Sequence, residues 1–382
     1  MSEPKINPML RVAIIGCGKI ADQHVEQILR IPGCEIVGVC DREELMAQQL
    51  QERLQAGSYF TEVRDLIEQS KPDVVHITTP PAGHFSLGKM CMDAGCHIYV
   101  EKPFTVNSDE AQELIALATQ KNLRLTVGHN AQFSHASLRM RQIFAEGYLG
   151  GPPTHLEAYY CYNLSDPGYA KALLGDSNHW VRKLPGGLLH NIISHGISKI
   201  AEFLPGDAPE VMAYGFTSPL LQSIGETEIV DELRTVIHDG PMTAYFTFSS
   251  QMRPGLHQIR LYGPKNGLVV DDDQQTVVKI RGAAYKSYLE QFLPPWDYAK
   301  QYLGNSLGNM RKFLRADFQT NYGMKVLIQR FYESITANRP LPIPYPEILR
   351  TARIMDEIFS QLNSSRASNQ PRHDERILAE HR

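Results

Sequence analysis

A two-part α/β architecture is predicted: an N-terminal doubly wound parallel sheet, then an α+β domain built on a large, mainly antiparallel open sheet. Three observations in the 382-residue sequence predict it. The first third alternates short β-branched apolar runs with helical stretches, the pattern of a parallel sheet covered on both faces. After about Asn130 the rhythm changes to strand-like runs separated by short turns, which favours antiparallel pairing. The length also exceeds the roughly 250–300 residues at which single cores stop growing.

In chain order, Leu10 to Ile15, Cys34 to Cys40, Val74 to Ile77, His97 to Val100 and Leu125 to Val127 read as strands. Ala21 to Arg30, Glu62 to Gln69, Phe85 to Ala94 and Ser108 to Lys121 have helical periodicity. Pro32-Gly33 stops the first helix, and Ser108 with Asp109 and Glu110 supplies a cap and acidic side chains at a positive helix end. Ser137 to Glu146 is a further helix. The second set of strands is Thr154 to Tyr162, Val211 to Phe216, Leu233 to His238, Met242 to Ser249, His257 to Tyr262, Gly267 to Val270 and Thr276 to Ile280. Turns such as His238-Asp239-Gly240-Pro241 separate them. Asp166 to Leu204 and Pro294 to Tyr322 read as long insertions between strands, and Pro346 to Leu362 as the last helix.

The expected domains are therefore 1–130 and 131–362, with helix 346–362 able to pack back on the first domain and 363–382 a polar, flexible tail. The open face of the second sheet, with Val236, Ala244, Phe246 and Phe248, needs a cover; a homodimer or homotetramer is expected.

Hydrophobic residues at 42% and charged residues at 21% are ordinary globular usage, and the net charge is −4. No Lys/Arg block tracks a phosphate backbone, so nucleic acid is not an expected partner. The start, MSEPKINPML, lacks the apolar core of a signal peptide, and no run spans a bilayer, so a cytoplasmic protein without membrane contact is expected. The six cysteines have no CxxC spacing and read as buried thiols; no metal site is expected.

Gly16-Cys17-Gly18-Lys19-Ile20-Ala21 follows the first strand and opens a helix. Small residues there allow a tight turn, approach of a pyrophosphate and helix-sheet packing, and the free amides of the helix start hold the anion. Gly16, Gly18, Lys19 and Ile20 are thus candidate cofactor residues of a Rossmann domain. Asp41 ends the second strand twenty positions after Ala21, where its carboxylate can accept from both hydroxyls of an adenosine ribose. A 2′-phosphate would be repelled, so NAD is favoured over NADP, with Arg42 placed to stack on adenine or pair with a phosphate.

Thr78-Thr79-Pro80-Pro81-Ala82-Gly83-His84 and Val100-Glu101-Lys102-Pro103 both lie at strand C-termini, where open α/β sheets bind ligands. With GCGKIA and Gly128-His129-Asn130, they resemble the dinucleotide domain of the Gfo/Idh/MocA (glucose-fructose oxidoreductase and inositol dehydrogenase) family. The resemblance implies that Thr79, Pro80, His84, Glu101, Lys102 and Asn130 line the cofactor. It also implies that Lys102 sits beside nicotinamide and substrate, where a cation stabilises developing alkoxide charge.

Gly186-Gly187 and the following Asn191-Ile192-Ile193-Ser194-His195 resemble the family's glycine-rich helix start and Asp-x-x-x-His, whose i and i+4 positions share one helical face. His195 aligns with the histidine, a suitable general base near neutral pH. Asn191 and Ser198 replace aspartates; Asn191 can hydrogen-bond a hydroxyl or orient the imidazole but cannot raise its basicity by charge. Tyr159, Tyr160, Tyr162, Tyr169, His179, Trp180 and Arg182 crowd the preceding segment, and some are candidates to contact a carbohydrate-like substrate.

The resemblance implies a dehydrogenase or reductase acting on a secondary alcohol of a sugar, cyclitol or nucleotide sugar. Two alternatives are an NAD-dependent glycosidase working by transient oxidation and elimination, and a non-catalytic dinucleotide sensor. Retention of both Lys102 and His195 counts against the sensor.

Overall fold

The computed structural model describes residues 9–54, 57–162, 176, 178–318 and 321–369. Its first half contains β1 (Leu10–Ile15), α1 (Lys19–Ile28), β2 (Cys34–Cys40), α2 (Glu44–Leu54), β3 (Ser58–Phe60), α3 (Val63–Ser70), β4 (Val74–Ile77), α4 (His84–Asp93), β5 (His97–Val100), α5 (Ser108–Gln120) and β6 (Leu125–Val127). The six strands pair in the order β3-β2-β1-β4-β5-β6, all parallel. Order reverses beside β1, so the ends of β1, β2 and β4 frame a crevice. The cap of α5 is Asn107, whose side chain accepts from Glu110 N at 2.9 Å, in place of the expected Ser108.

The second half begins with α6 (His135–Ala145), β7 (His155–Cys161), α7 (Gly187–Ile192), α8 (Ser194–Ala201), β8 (Glu210–Phe216), α9 (Pro219–Ser223), β9 (Glu232–Asp239), β10 (Met242–Ser249), β11 (Leu256–Tyr262), β12 (Asn266–Asp271) and β13 (Thr276–Arg281). It ends with α10 (Leu289–Leu314), α11 (Tyr322–Thr336) and α12 (Tyr345–Asn369). The seven strands run β13-β12-β11-β7-β10-β9-β8, antiparallel except for the β7/β10 pair.

Strand alternation corrects one expectation about this sheet. Ala244, Phe246 and Phe248 point inward and are buried beneath α8, while Val236 lies on the outer face with exposed Met212, Tyr214 and Tyr245. Neighbouring side chains on a strand face opposite ways, so the four residues named from sequence cannot share a surface.

Pro294 to Tyr322 is not an insertion between strands: no described strand follows β13, and most of the segment is the 26-residue helix α10. Its prolines lie within the helix, which is held to β13 by side-chain amides. Gln301 accepts from Lys279 N (2.7 Å) and donates to Lys279 O (3.1 Å), and Asn305 donates to Val277 O (3.0 Å). Asn309 donates to Gln274 O (2.9 Å). Four helical residues rise about 6 Å and two strand residues about 6.7 Å, so Gln301 and Asn305 keep step with β13 and close its free edge, while Asn309 reaches the turn before it.

Two apolar cores result. One joins the parallel sheet to Met324, Leu327, Ile328 and Phe331 of α11 and to Ile348 of α12; the other joins the second sheet and α8 to Ile354, Ile358 and Phe359 of α12. The last helix runs past Leu362 to Asn369, further than its apolar pattern indicates, and 370–382 lie outside the described residues. No described helix is long and apolar enough to cross a membrane.

Candidate active site

Gly16 leaves β1 at φ +95°, and a Cβ there would lie 2.9 Å from the backbone of Thr78 and Thr79, so only glycine makes this turn. Thr78 Oγ1 pins it by donating to Ile15 O (3.0 Å) and Gly16 O (2.6 Å). Gly18 precedes the ten-residue α1 without a side-chain cap, and space opens beside its Cα. It faces a cleft of about 910 Å³ lined by Gly16, Asp41, Arg42, Thr79 and Pro80. Asp41 is held there by Cys17 N (2.7 Å) and Glu43 N (3.0 Å). Uncapped helix amides at one point and an oriented carboxylate at another fit the pyrophosphate and ribose of a dinucleotide.

Lys19 and Ile20 form the start of α1, with Lys19 exposed. His84, Glu101, Lys102 and Asn130 stand outside the cleft lining. His84 is buried and bridges the two motif loops, with Nε2 on Thr79 O (2.8 Å) and Nδ1 on Pro103 O (2.9 Å). Glu101, also buried, accepts from Lys102 N (3.1 Å) and pairs with His24 Nε2 (2.8 Å). His24 continues to His76 (2.8 Å), and His76 to Tyr332 of α11 (2.8 Å), so a polar chain through the first core anchors the Lys102 loop. Asn130 opens a short 3₁₀ turn.

Lys102 reaches the second domain. Its Nζ donates to Asn191 O (3.0 Å) and Asn191 Oδ1 (3.3 Å). Burial lowers its pKa, opposed by the Glu101 charge. Asn191 and His195 do not lie on one unbroken helix: α7 ends at Ile192 and α8 starts at Ser194. A Cβ on Gly196 would meet the Phe246 ring at 2.3 Å, so glycine lets α8 lie directly on the sheet. His195 then stands over Tyr160, ring centroids 5.6 Å apart. Burial, followed by repulsion from Lys102, His129, Lys199 and His257, holds His195 well below the usual 6.5. The imidazole is neutral at neutral pH and can accept a proton.

Several surrounding groups escaped sequence reasoning. Buried Lys199, one turn after His195, pairs with Asp272, whose Oδ1 accepts from Ser134 Oγ (3.0 Å). His257 packs edge-on against Tyr160 (4.6 Å) and bonds Asp273 (2.8 Å). The His195/Lys199 spacing of four was the available signal. The carboxylates of this region, Asp272 and Asp273, are thus engaged by Lys199 and His257.

Of the aromatic crowd, Tyr160 and Tyr162 share a hydrogen bond (3.0 Å) near His195. Tyr159 bonds Glu157 (3.1 Å) beneath Arg260, His179 caps the turn starting at Trp180, and Arg182 pairs with Glu226 (2.7 Å). Tyr169 lies outside the described residues.

Burial also lowers His76 and His84, pushes His190 down to about 4 and pushes His129 down to about 3. His76, His129 and His190 are neutral when folded and regain their ordinary value near 6.5 on unfolding, whereas the carbonyl oxygens on both ring nitrogens of His84 oppose its loss of charge. Stability is therefore full above that pH and falls as pH drops, by up to ~1.4 kcal/mol per pH unit for each group. Urea midpoints measured from about pH 7.5 to 5 should decline steeply; a flat profile would show that these imidazoles are not buried neutral.

Residues 10–129 match the profile of an oxidoreductase family described as an NAD-binding Rossmann fold. An uncharacterized oxidoreductase, YrbE of Bacillus subtilis, is 24% identical over 344 residues, covering 89% of this chain and 91% of that protein. The D-glucoside 3-dehydrogenase of Escherichia coli is 32% identical over 142 residues, 37% of this chain and 40% of its own length. The UDP-N-acetylglucosamine 3-dehydrogenase of Acidithiobacillus ferrooxidans is 32% identical over 149 residues, 39% and 44% respectively. The chain thus aligns with less than half of each of these two dehydrogenases. Among solved structures, the WlbA dehydrogenase from Bordetella pertussis, in complex with NADH and UDP-GlcNAcA, superposes with a TM-score of 0.74 at 15% identity. It covers 95% of this chain and 98% of that one, a likeness of fold.

Proposed function

Since residues 10–129 make this chain a member of the Gfo/Idh/MocA oxidoreductases, we propose that it is an NAD-dependent enzyme moving a hydride between nicotinamide and a secondary alcohol of a sugar, cyclitol or nucleotide sugar. The observation that carries this reading is the contact between Lys102, at a strand end of the first domain, and Asn191, beside the neutral His195. When bound, the dinucleotide supplies the hydride acceptor or donor. Gly16, Gly18 and the α1 amides hold its pyrophosphate, and Asp41 and Arg42 its adenosine end. In oxidation His195 takes the hydroxyl proton while the Lys102 ammonium stabilises the growing alkoxide. Asn191 orients Lys102 through two acceptor oxygens.

A panel of polyols, sugars and nucleotide sugars, assayed at the reduced-nicotinamide absorbance band, tests the proposal. Accumulation of reduced cofactor supports it; release of an aglycone with no net change in cofactor would assign the elimination chemistry instead.

Asp41 governs cofactor choice in this reading. NAD(H) should bind more tightly than NADP(H), and Asp41→Ala should narrow the gap in calorimetric titrations. Equal or tighter NADP(H) binding by the unaltered chain would overturn the assignment and point to Lys19 and Arg42 as phosphate partners.

All six cysteines are free thiols, which supports a reducing, cytoplasmic setting. The exposed outer sheet face, with Met212, Tyr214, Val236 and Tyr245, supports pairing with a second copy.

A further inference from the structure

Helix α10 buries none of its residues, yet it carries a continuous apolar stripe. Leu289, Phe292, Trp296, Leu303, Leu307, Met310 and Leu314 are all exposed, Phe292 by 67% and Leu314 by 77%. At 100° per residue they fall within an arc of about 60°, diametrically opposite the Gln301, Asn305 and Asn309 face that binds β13. The amide face explains how the helix is held. It does not explain the stripe, which runs for most of the helix length of about 39 Å.

We infer that this stripe is a homotypic interface, in which α10 of a second copy of this chain docks antiparallel on it about a two-fold axis at Leu303. The pattern is self-complementary in that arrangement. Residues equidistant from Leu303 meet: Trp296 faces Met310, Phe292 faces Leu314, and Leu307 faces the small Ala299. A two-fold contact requires this, because one patch must fit itself.

Charge follows the same symmetry. On one flank of the stripe Glu290 and Asp297, the latter also accepting from Tyr285 Oη, lie in the N-terminal half of α10 with Lys300 after them, Arg311 lies in the last turn and Arg315 caps it, while Lys312 turns toward the amide face. Same-side flanks face each other in an antiparallel pair. Asp297 of one copy then lies within about 3 Å, along the axis, of the level of Arg311 in the other. A parallel pair would set like charges side by side. The exposed stripe side chains present on the order of 1,000 Å², comparable with the ~800 Å² each partner contributes to a standard interface. A patch of this extent is far beyond scattered surface apolar residues.

This inference is independent of the reaction catalysed. Light scattering of the full chain during size-exclusion chromatography tests it, with Leu303→Glu combined with Leu307→Glu, both positions being exposed. The expected result is a fall of the particle mass to half that of the unaltered protein. With Tyr214→Glu added on the outer sheet face, monomers should result.

A charge exchange reads the geometry without removing apolar surface. Arg311→Asp should weaken self-association on the order of a hundredfold, and adding Asp297→Arg should restore it. An unchanged mass in the Leu303/Leu307 variant overturns the inference, as does failure of the exchange to restore assembly. A chain that stays monomeric at micromolar concentration and instead sediments with anionic phospholipid vesicles would overturn it too, assigning the stripe to a membrane surface.

Discussion

Lys102→Met should lower kcat roughly a hundred- to a thousandfold, the range found when one preorganised donor to a developing oxyanion is removed. Methionine keeps the apolar stem out to Cε but cannot donate. The Lys102 ammonium is held on both acceptor oxygens of Asn191, away from the residues lining the dinucleotide cleft. NAD(H) affinity should therefore stay within a few-fold by calorimetry. Steady-state rates with the best substrate of the panel provide the check. A kcat within tenfold of the unaltered enzyme would remove Lys102 from the chemistry, and a large loss of NAD(H) affinity would make its role structural.

His195→Ala carries the second large effect, a loss of about a hundred- to ten-thousandfold in turnover, typical of a missing general base. The pH dependence is more discriminating. A base works unprotonated, so oxidation is lost as pH falls through its pKa. The imidazole is held well below 6.5 by burial and neighbouring cations, so kcat/KM should be level through neutral pH and fall only in more acid solution. Asn191→Asp introduces a negative charge that favours the imidazolium and should move that acidic limb upward. An unmoved limb, with turnover also unchanged, would place Asn191 outside the electrostatic reach of His195.

The first sheet was readable because strands such as Leu10–Ile15 and Val74–Ile77 are almost wholly buried and hence apolar at all but one position each, Arg11 and His76. β3 was not: it has three residues, and Ser58 and Tyr59 are exposed, leaving neither alternation nor an apolar run. α2 buries only Ala47 and Leu50, too little for a visible stripe. The segment from Pro294 read as an insertion between strands, whereas bonds from Gln301 and Asn305 to β13 fix a helix, and no local pattern encodes such tertiary bonds.

The site divides in the same way. Gly16, Asp41 and Lys102 stand in short motifs whose spacing carries meaning. The Lys199–Asp272 and His257–Asp273 pairs join residues 73 and 16 positions apart, and only the folded sheet brings them together. The interruption at Ile193 was equally silent, since Asn191 to His195 has ordinary helical spacing.

The parallel sheet borrows part of its core from α11, whose Met324, Leu327, Ile328 and Phe331 lie in the same buried cluster as β1 and β4. On the ribosome, the nucleotide-binding half is complete in sequence long before α11 emerges. At ~5–20 residues per second, a separation of roughly 200 residues is a delay of about 10–40 s. For that interval the nascent sheet carries an uncovered apolar flank, and the His76 imidazole lacks its Tyr332 partner. Completion of the parallel-sheet core is therefore set by a segment that leaves the exit tunnel roughly 200 residues after the sheet itself.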